Sequence, residues 1–181
     1  NLNLSEGRNI GVHFARGRIV AFLDDDALVG PDYVSSIKSA FESFDILGLR
    51  GRALPKTDPD ANRAGRGYDK GDRPFPTFCG LEGCSAFLRR IYLELNGMDP
   101  LLFGHEGSDL TYRIHQKYNA LNKVIYWPAT IIYHDATVGS AQKEKTARYQ
   151  RTERYLKFKH NRDIWELRGR IEAQPLPVHP G

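Results

Sequence analysis

Arg18-Ile19-Val20-Ala21-Phe22-Leu23-Asp24-Asp25-Asp26 joins a short apolar run directly to three carboxylates. A run of this length and composition reads as a strand buried on both faces. The aspartates therefore fall at its C-terminal end. Upstream, Glu6 to Gly17 reads as a short helix stopped by a glycine able to take the left-handed conformation. Downstream, Gly30-Pro31 opens a second helix, with Tyr33, Val34, Ile37, Ala40, Phe41 and Phe44 at helical spacing, and Asp45 to Gly51 reads as the next strand. This alternation predicts an α/β fold with a mixed, mainly parallel sheet flanked by helices. Ligands of such sheets bind outside the carboxyl ends of the strands.

Further along, Arg52 to Pro76 is rich in Gly, Pro, Asp, Asn and Arg and has no hydrophobic period, which predicts a long mobile loop near the ligand. Cys84 to Leu88 reads as a strand, Arg90 to Asn96 as a short helix closed by Gly97, and Ser108 as the N-cap of a further helix. Lys123 to Tyr126 and Thr130 to Tyr133 read as two strands split by Pro128. Ser140 to His160 reads as a polar, basic helix, and the prolines after it mark a frayed tail. One domain over 1–160 and a partly disordered extension over 161–181 are expected.

The 181 residues are 40% hydrophobic and 27% charged, the composition of a globular chain. No apolar run is long enough to span a bilayer and the first residues lack signal-peptide regions, so a cytoplasmic location is expected. Cys79 and Cys84 are too few for a disulfide scaffold or a zinc site and read as packed thiols. Net charge is only +4, but Lys143 to Arg170 holds ten Lys or Arg against four Asp or Glu. Such a stretch suits a solvated helix face, or would attract nucleic acid, a nucleotide diphosphate or the acidic headgroups at the inner face of the plasma membrane.

Aspartates two apart at a strand end can aim at one point, and their hard oxygens suit Mn²⁺ or Mg²⁺. Asp24 and Asp26 fit that role, and Asp25 between them would face a sugar or ribose hydroxyl. His134, after the apolar run Thr130 to Tyr133, could complete a metal shell. Gly104-His105-Glu106-Gly107-Ser108-Asp109 brings two carboxylates to a helix start. Glu106, read as lying outside the helix, could serve as a base toward an acceptor hydroxyl, with Asp109 as the alternative.

Together these segments resemble family 2 glycosyltransferases of the GT-A fold. Gly7-Arg8-Asn9-Ile10-Gly11 resembles the family's Arg-Asn segment, and Ile19 to Asp26 its strand ending in the DxD metal motif. Gly83 to Arg90 with Leu95 to Asp99 is similar to the acceptor-side block, Glu106 to Ile114 to the EDxDLxxR pattern, and Pro128 to Asp135 to the closing His motif. The resemblance implies metal-dependent, inverting transfer from a nucleotide-sugar, with a UDP-sugar favoured, to a glycan or lipid-linked acceptor. It implies Asp24, Asp26 and His134 at the metal, Glu106 and Asp109 as catalytic candidates, and Arg8, Asn9, Asp25, Gly83 and Arg113 toward substrate. No nucleic-acid partner is expected.

Two departures stand out. Gly107 occupies the place of the family's usual Asp, which throws the base role onto Glu106 or Asp109. The chain also begins inside the expected fold, as an N-terminally truncated fragment lacking the first base-binding βα units. The rival readings are a nucleotidyltransferase, which would want a Gly-rich phosphate loop, and a basic nucleic-acid or membrane-surface module, which leaves the motifs unexplained.

Overall fold

The computed structural model describes residues 3–56, 67–135 and 140–179. Helix α1 (Leu4–Phe14) begins with a reciprocal cap: Asn3 accepts from the Glu6 N–H, and Glu6 accepts from the Asn3 N–H. Strand β1 (Ile19–Leu23) follows, then the short β2 (Leu28–Val29) and helix α2 (Tyr33–Ser43). Tyr33, Ile37, Ala40 and Phe41 form the buried stripe of α2 at the expected helical spacing. After β3 (Gly48–Leu54) come β4 (Phe75–Pro76), β5 (Cys84–Leu88), helix α3 (Arg89–Glu94), helix α4 (Glu106–Tyr118) and β6 (Val124–Tyr133). Helix α5 (Ser140–His160), a 3-10 turn (Ile164–Leu167) and helix α6 (Arg168–Glu172) complete the chain.

The class is the expected mixed α/β, but the parallel majority is not. The pairing order is β1-β5-β3-β6-β2, with β4 also on β6, and only β3 and β6 pair in parallel. The reason lies in β5, which inserts between β1 and β3 and runs antiparallel to both. Strands β1, β3 and β6 do point the same way, as the alternation implied, yet β1 never touches β3. Their carboxyl ends share one edge. Strands β1 and β2 lie at opposite ends of the order although only Asp24 to Ala27 separates them. That link, shortened by the turn in which Ala27 N–H donates to Asp24 O (3.1 Å), cannot cross four flat strand spacings of about 19 Å. The sheet curls at this edge instead.

The two strands expected around Pro128 are one strand. Arg50 pairs with Tyr126 and Arg52 already with Ile131, so Trp127 to Thr130 leave the ladder as a bulge, and Pro128 needs no partner there. Of the expected loop Arg52–Pro76, residues 57–66 lie outside the described ones, β3 takes the start and β4 the end. Arg52 pairs with Asp69 and Asp72, and the buried Arg50 donates to the carbonyls of Gly67 and Tyr68, which ties the segment from Gly67 onward to β3.

Two cores result. The larger gathers α1, α2, α3, one face of α4 and the sheet, including Cys79 and Cys84, which are buried and unpaired as expected. The smaller joins Phe78, Leu102 and Tyr112 to Leu156, Ile164, Leu167 and Ile171. Ile164, Leu167 and Ile171, within the expected partly disordered extension over 161–181, are thus part of the packing, and Val178 bridges to Phe44. Residues 180–181 lie outside the described ones.

Candidate active site

The edge where β1 ends collects most of the expected residues. Asp24 continues the β1–β5 ladder, its N–H facing Gly83 O at 3.4 Å, and its Oδ1 accepts from Arg8 Nη2 at 3.1 Å. Gly83 leaves room for this placement of Asp24, because a Cβ would come within 2.0 Å of Asp24 Oδ2. Asp26 lies within the turn that follows, 66% exposed, with its Oδ1 3.1 Å from Nε2 of His134, which β6 delivers to the same edge. His134 is fixed by its own N–H donating to Leu54 O at 2.8 Å. Lys56 adds its ammonium to Asp26 O, and its N–H donates to Asp135 Oδ1 (2.9 Å). Asp25 is exposed between them.

Two of the three expected metal ligands, Asp26 and His134, thus meet, while Asp24 turns to Arg8. Among the described residues no group of three or more His, Cys, Asp or Glu gathers at metal-binding distance. Asp26 and His134 nonetheless fit a hard divalent cation: a carboxylate oxygen and an imidazole nitrogen converge at a solvent-facing edge, leaving positions for phosphate oxygens and water.

The carboxylates of α4 are arranged differently from the expectation. Glu106 is not outside the helix but its first residue, and it is 3% exposed. The left-handed His105 (φ 67°) and Gly104 (φ 97°) turn the chain into the helix here, and a Cβ on Gly104 would lie 2.1 Å from the ring of Tyr149 on α5. Burial, and next the charge of Glu82, push the Glu106 carboxyl above its ordinary range. Glu82 was missed in the sequence. Its Oε1 accepts the Gly107 N–H at 3.0 Å, and a Cβ on Gly107 would meet Cys79 O at 2.5 Å and Glu82 Cγ at 3.1 Å. Glycine at 107 therefore admits a second carboxylate beside Glu106, brought from the turn before β5. The only sequence signal was an acidic residue next to Gly83, too little to single it out.

Asp109 is fully buried and bound on all sides: Arg113 (2.8 Å), Lys159 (2.9 Å) and His160 (2.7 Å) converge on it. Burial alone would raise this carboxyl, but the His160 hydrogen bond, the Arg113 charge and Lys159 outweigh it and hold it at about 2. Arg113 also donates to Leu95 O (2.5 Å) and Gly97 O (2.7 Å), capping α3. Asn9 is likewise committed within the fold, donating to Met98 O (2.8 Å) and accepting from Tyr92 Oη (2.7 Å) and the Met98 N–H (2.9 Å). The structure thus groups Arg8, Asp24, Gly83, Glu106 and Glu82 with Asp26 and His134 at the strand ends, and sets Asn9, Asp109 and Arg113 in the supports behind them.

The model of the family described as "Glycosyl transferase family 2" matches residues 1–95, more than half of the 181. The chain belongs to glycosyl transferase family 2. No curated protein matches it. Solved structures do match in fold. GalNAc-T7 with UDP, GalNAc and Mn²⁺ superposes with a TM-score of 0.57 at 17% identity, over 75% of this chain and 31% of that one. The mannosyltransferase PcManGT from Pyrobaculum calidifontis, in complex with GDP-Man and Mn²⁺, gives 0.58 at 15% over 84% and 42%. S. aureus TarS 1-349 gives 0.53 at 14% over 85% and 53%. The family 2 chain therefore spans from about a third to about half of these neighbours, and its fold is the GT-A glycosyltransferase fold they share.

Proposed function

We propose that this family 2 chain carries the catalytic centre of a metal-dependent, inverting glycosyltransferase, moving a sugar from a nucleotide-diphosphate sugar, a UDP-sugar foremost, to a hydroxyl of a glycan or lipid-linked acceptor. The observation that carries this reading is the meeting of Asp26 with His134 at the strand ends where Arg8 holds Asp24. The nucleotide-sugar and Mn²⁺ in two of the fold neighbours support it.

Asp26 and His134 would hold Mn²⁺ or Mg²⁺, which when bound supplies positive charge against a departing diphosphate. Arg8 holds Asp24 in place and adds a cation beside the same edge, and Asp25 is free to accept a hydrogen bond from a donor hydroxyl. On the acceptor side, the carboxylate pair Glu82 and Glu106 takes the proton of the attacking hydroxyl. Attack on the anomeric carbon from the face opposite the diphosphate inverts its configuration. Asp109, held ionised by Arg113, Lys159 and the hydrogen bond with His160, serves the architecture of α4 and not the reaction.

The test is Asp26→Ala in the full-length protein, offered UDP-sugars and GDP-mannose with and without Mn²⁺. Mn²⁺-stimulated release of nucleoside diphosphate is expected in the parent and absent in the variant. Equal release by both would remove the reading.

A further inference from the structure

At the other end of β1 the surface changes character. Arg16-Gly17-Arg18 forms the turn that leads into β1, and Leu88-Arg89-Arg90 the passage from β5 into α3. The pairing of Ile19 with Leu88, and the Arg89 N–H donating to Arg18 O at 2.9 Å, hold the two segments side by side. Together they line one open cavity of about 420 Å³ that has four arginines and no carboxylate in its wall. Among the described residues none of the four makes a salt bridge. Arg89 donates to the carbonyls of Val12 (3.1 Å) and His13 (3.4 Å), which leaves its charge uncompensated. Glu94 is the acid whose charge Arg90 feels, and that carboxylate is already engaged by Lys117 (2.7 Å) and Tyr118 (3.0 Å).

Four guanidinium groups without a salt-bridged partner repel one another, and an anion would relieve the arrangement. Guanidinium matches phosphate through paired N–H donors. The donor diphosphate does not serve, because β1 is five residues long and separates this cavity from Asp24 by about 16 Å. Beside the arginines, Phe14 ends α1 with 82% of its surface exposed. A dissolved phosphate has no use for an exposed ring, whereas a lipid surface takes an aromatic into its interface and offers phosphates alongside.

We propose that Arg16, Arg18, Arg89 and Arg90 form a second anion site, seating the phosphodiester headgroups of an anionic lipid surface while Phe14 enters its apolar layer. This site stands independently of the proposed transferase activity. It would place the strand-end edge with Asp26 and His134 on the side facing away from the lipid contact.

The experiment is vesicle co-sedimentation of the full chain, with phosphatidylcholine alone and with phosphatidylglycerol added, near physiological salt. The parent is expected to partition onto the anionic vesicles only. Arg16→Gln/Arg18→Gln/Arg90→Gln should weaken partitioning by about a hundredfold, at about a factor of five per arginine. Phe14→Ser should weaken it as well, and the control Arg151→Gln/Arg154→Gln/Lys157→Gln on α5 should not. Circular dichroism confirms that each variant is folded. The proposal is overturned if the parent ignores anionic vesicles, if the triple variant partitions like the parent, or if the α5 control abolishes binding. Saturable binding of pyrophosphate or a short RNA at the cradle, without vesicle binding, would overturn the lipid assignment too.

Discussion

Gly83 shows how much of the site depends on an absent side chain. A methyl group there would occupy the place of the Asp24 carboxylate, which is free to rotate away because it belongs to a partly exposed side chain. Gly83→Ala is therefore expected to cost little stability, within about 1 kcal/mol, while breaking the Arg8–Asp24 pair and lowering turnover. Thermal melting beside a nucleotide-release assay separates the two effects; a variant with parental turnover would show that Asp24 does not need its present position. At this scale the sequence was informative about residues following apolar runs, Asp24, Asp26 and His134 among them. It was silent on Glu82, whose place beside Glu106 depends on a turn and a helix start that meet only in the fold. It also misplaced Glu106, since Ser108 resembles an N-cap more than the left-handed His105 does.

Among the elements, β3 is tightly constrained at Gly51. Gly51 sits where the register against β6 shifts, and a Cβ there would lie 2.4 Å from both Cys84 Sγ and Thr130 O. Neither neighbour can yield, since one is backbone and the other a fully buried thiol. Gly51→Ala should cost about 3 kcal/mol or somewhat more, read as a lowered urea midpoint; an unchanged midpoint would mean that the bulge is softer than its packing suggests. Local periodicity found the longer helices and strands, because buried stripes such as those of α2 and β5 are written in neighbouring residues, and missed the short β2, β4 and α6. The insertion of β5 between β1 and β3 could not be read the same way. Strand neighbours are chosen by long-range packing, and the alternation of elements carries no trace of that choice.

For the whole molecule, two buried groups, His115 and Asp109, contribute prominently to the response to acid. Burial holds the His115 imidazole neutral, with its pKa pushed down to about 4 despite its hydrogen bond with Ala120 O. The unfolded chain takes up that proton at the ordinary 6.5, so stability is lost as the pH falls from about 6.5 through about 4, by on the order of 3 kcal/mol. Asp109, held at about 2 against an ordinary 3.8, keeps its contribution down to about pH 4 and loses it below. Urea unfolding between pH 7 and 2 should show both losses. In His115→Gln the upper one should shrink, leaving the part due to His105, whose imidazole is also held below its ordinary range by burial, and the lower one should remain; an upper loss of parental size would clear His115. The second core was not legible in the sequence: Ile164, Leu167 and Ile171 are scattered among charges there and find Phe78 and Leu102 only in space.

The Asp26–His134 contact joins residues roughly a hundred positions apart. During synthesis, Asp26 leaves the ribosome several seconds before His134 has been translated, at the usual pace of about 5–20 residues per second. A nascent chain stalled before β6 thus holds only half of the pair, so on the proposed metal role divalent-ion affinity would serve as a clock for translation, appearing only once the strand carrying His134 has emerged and docked.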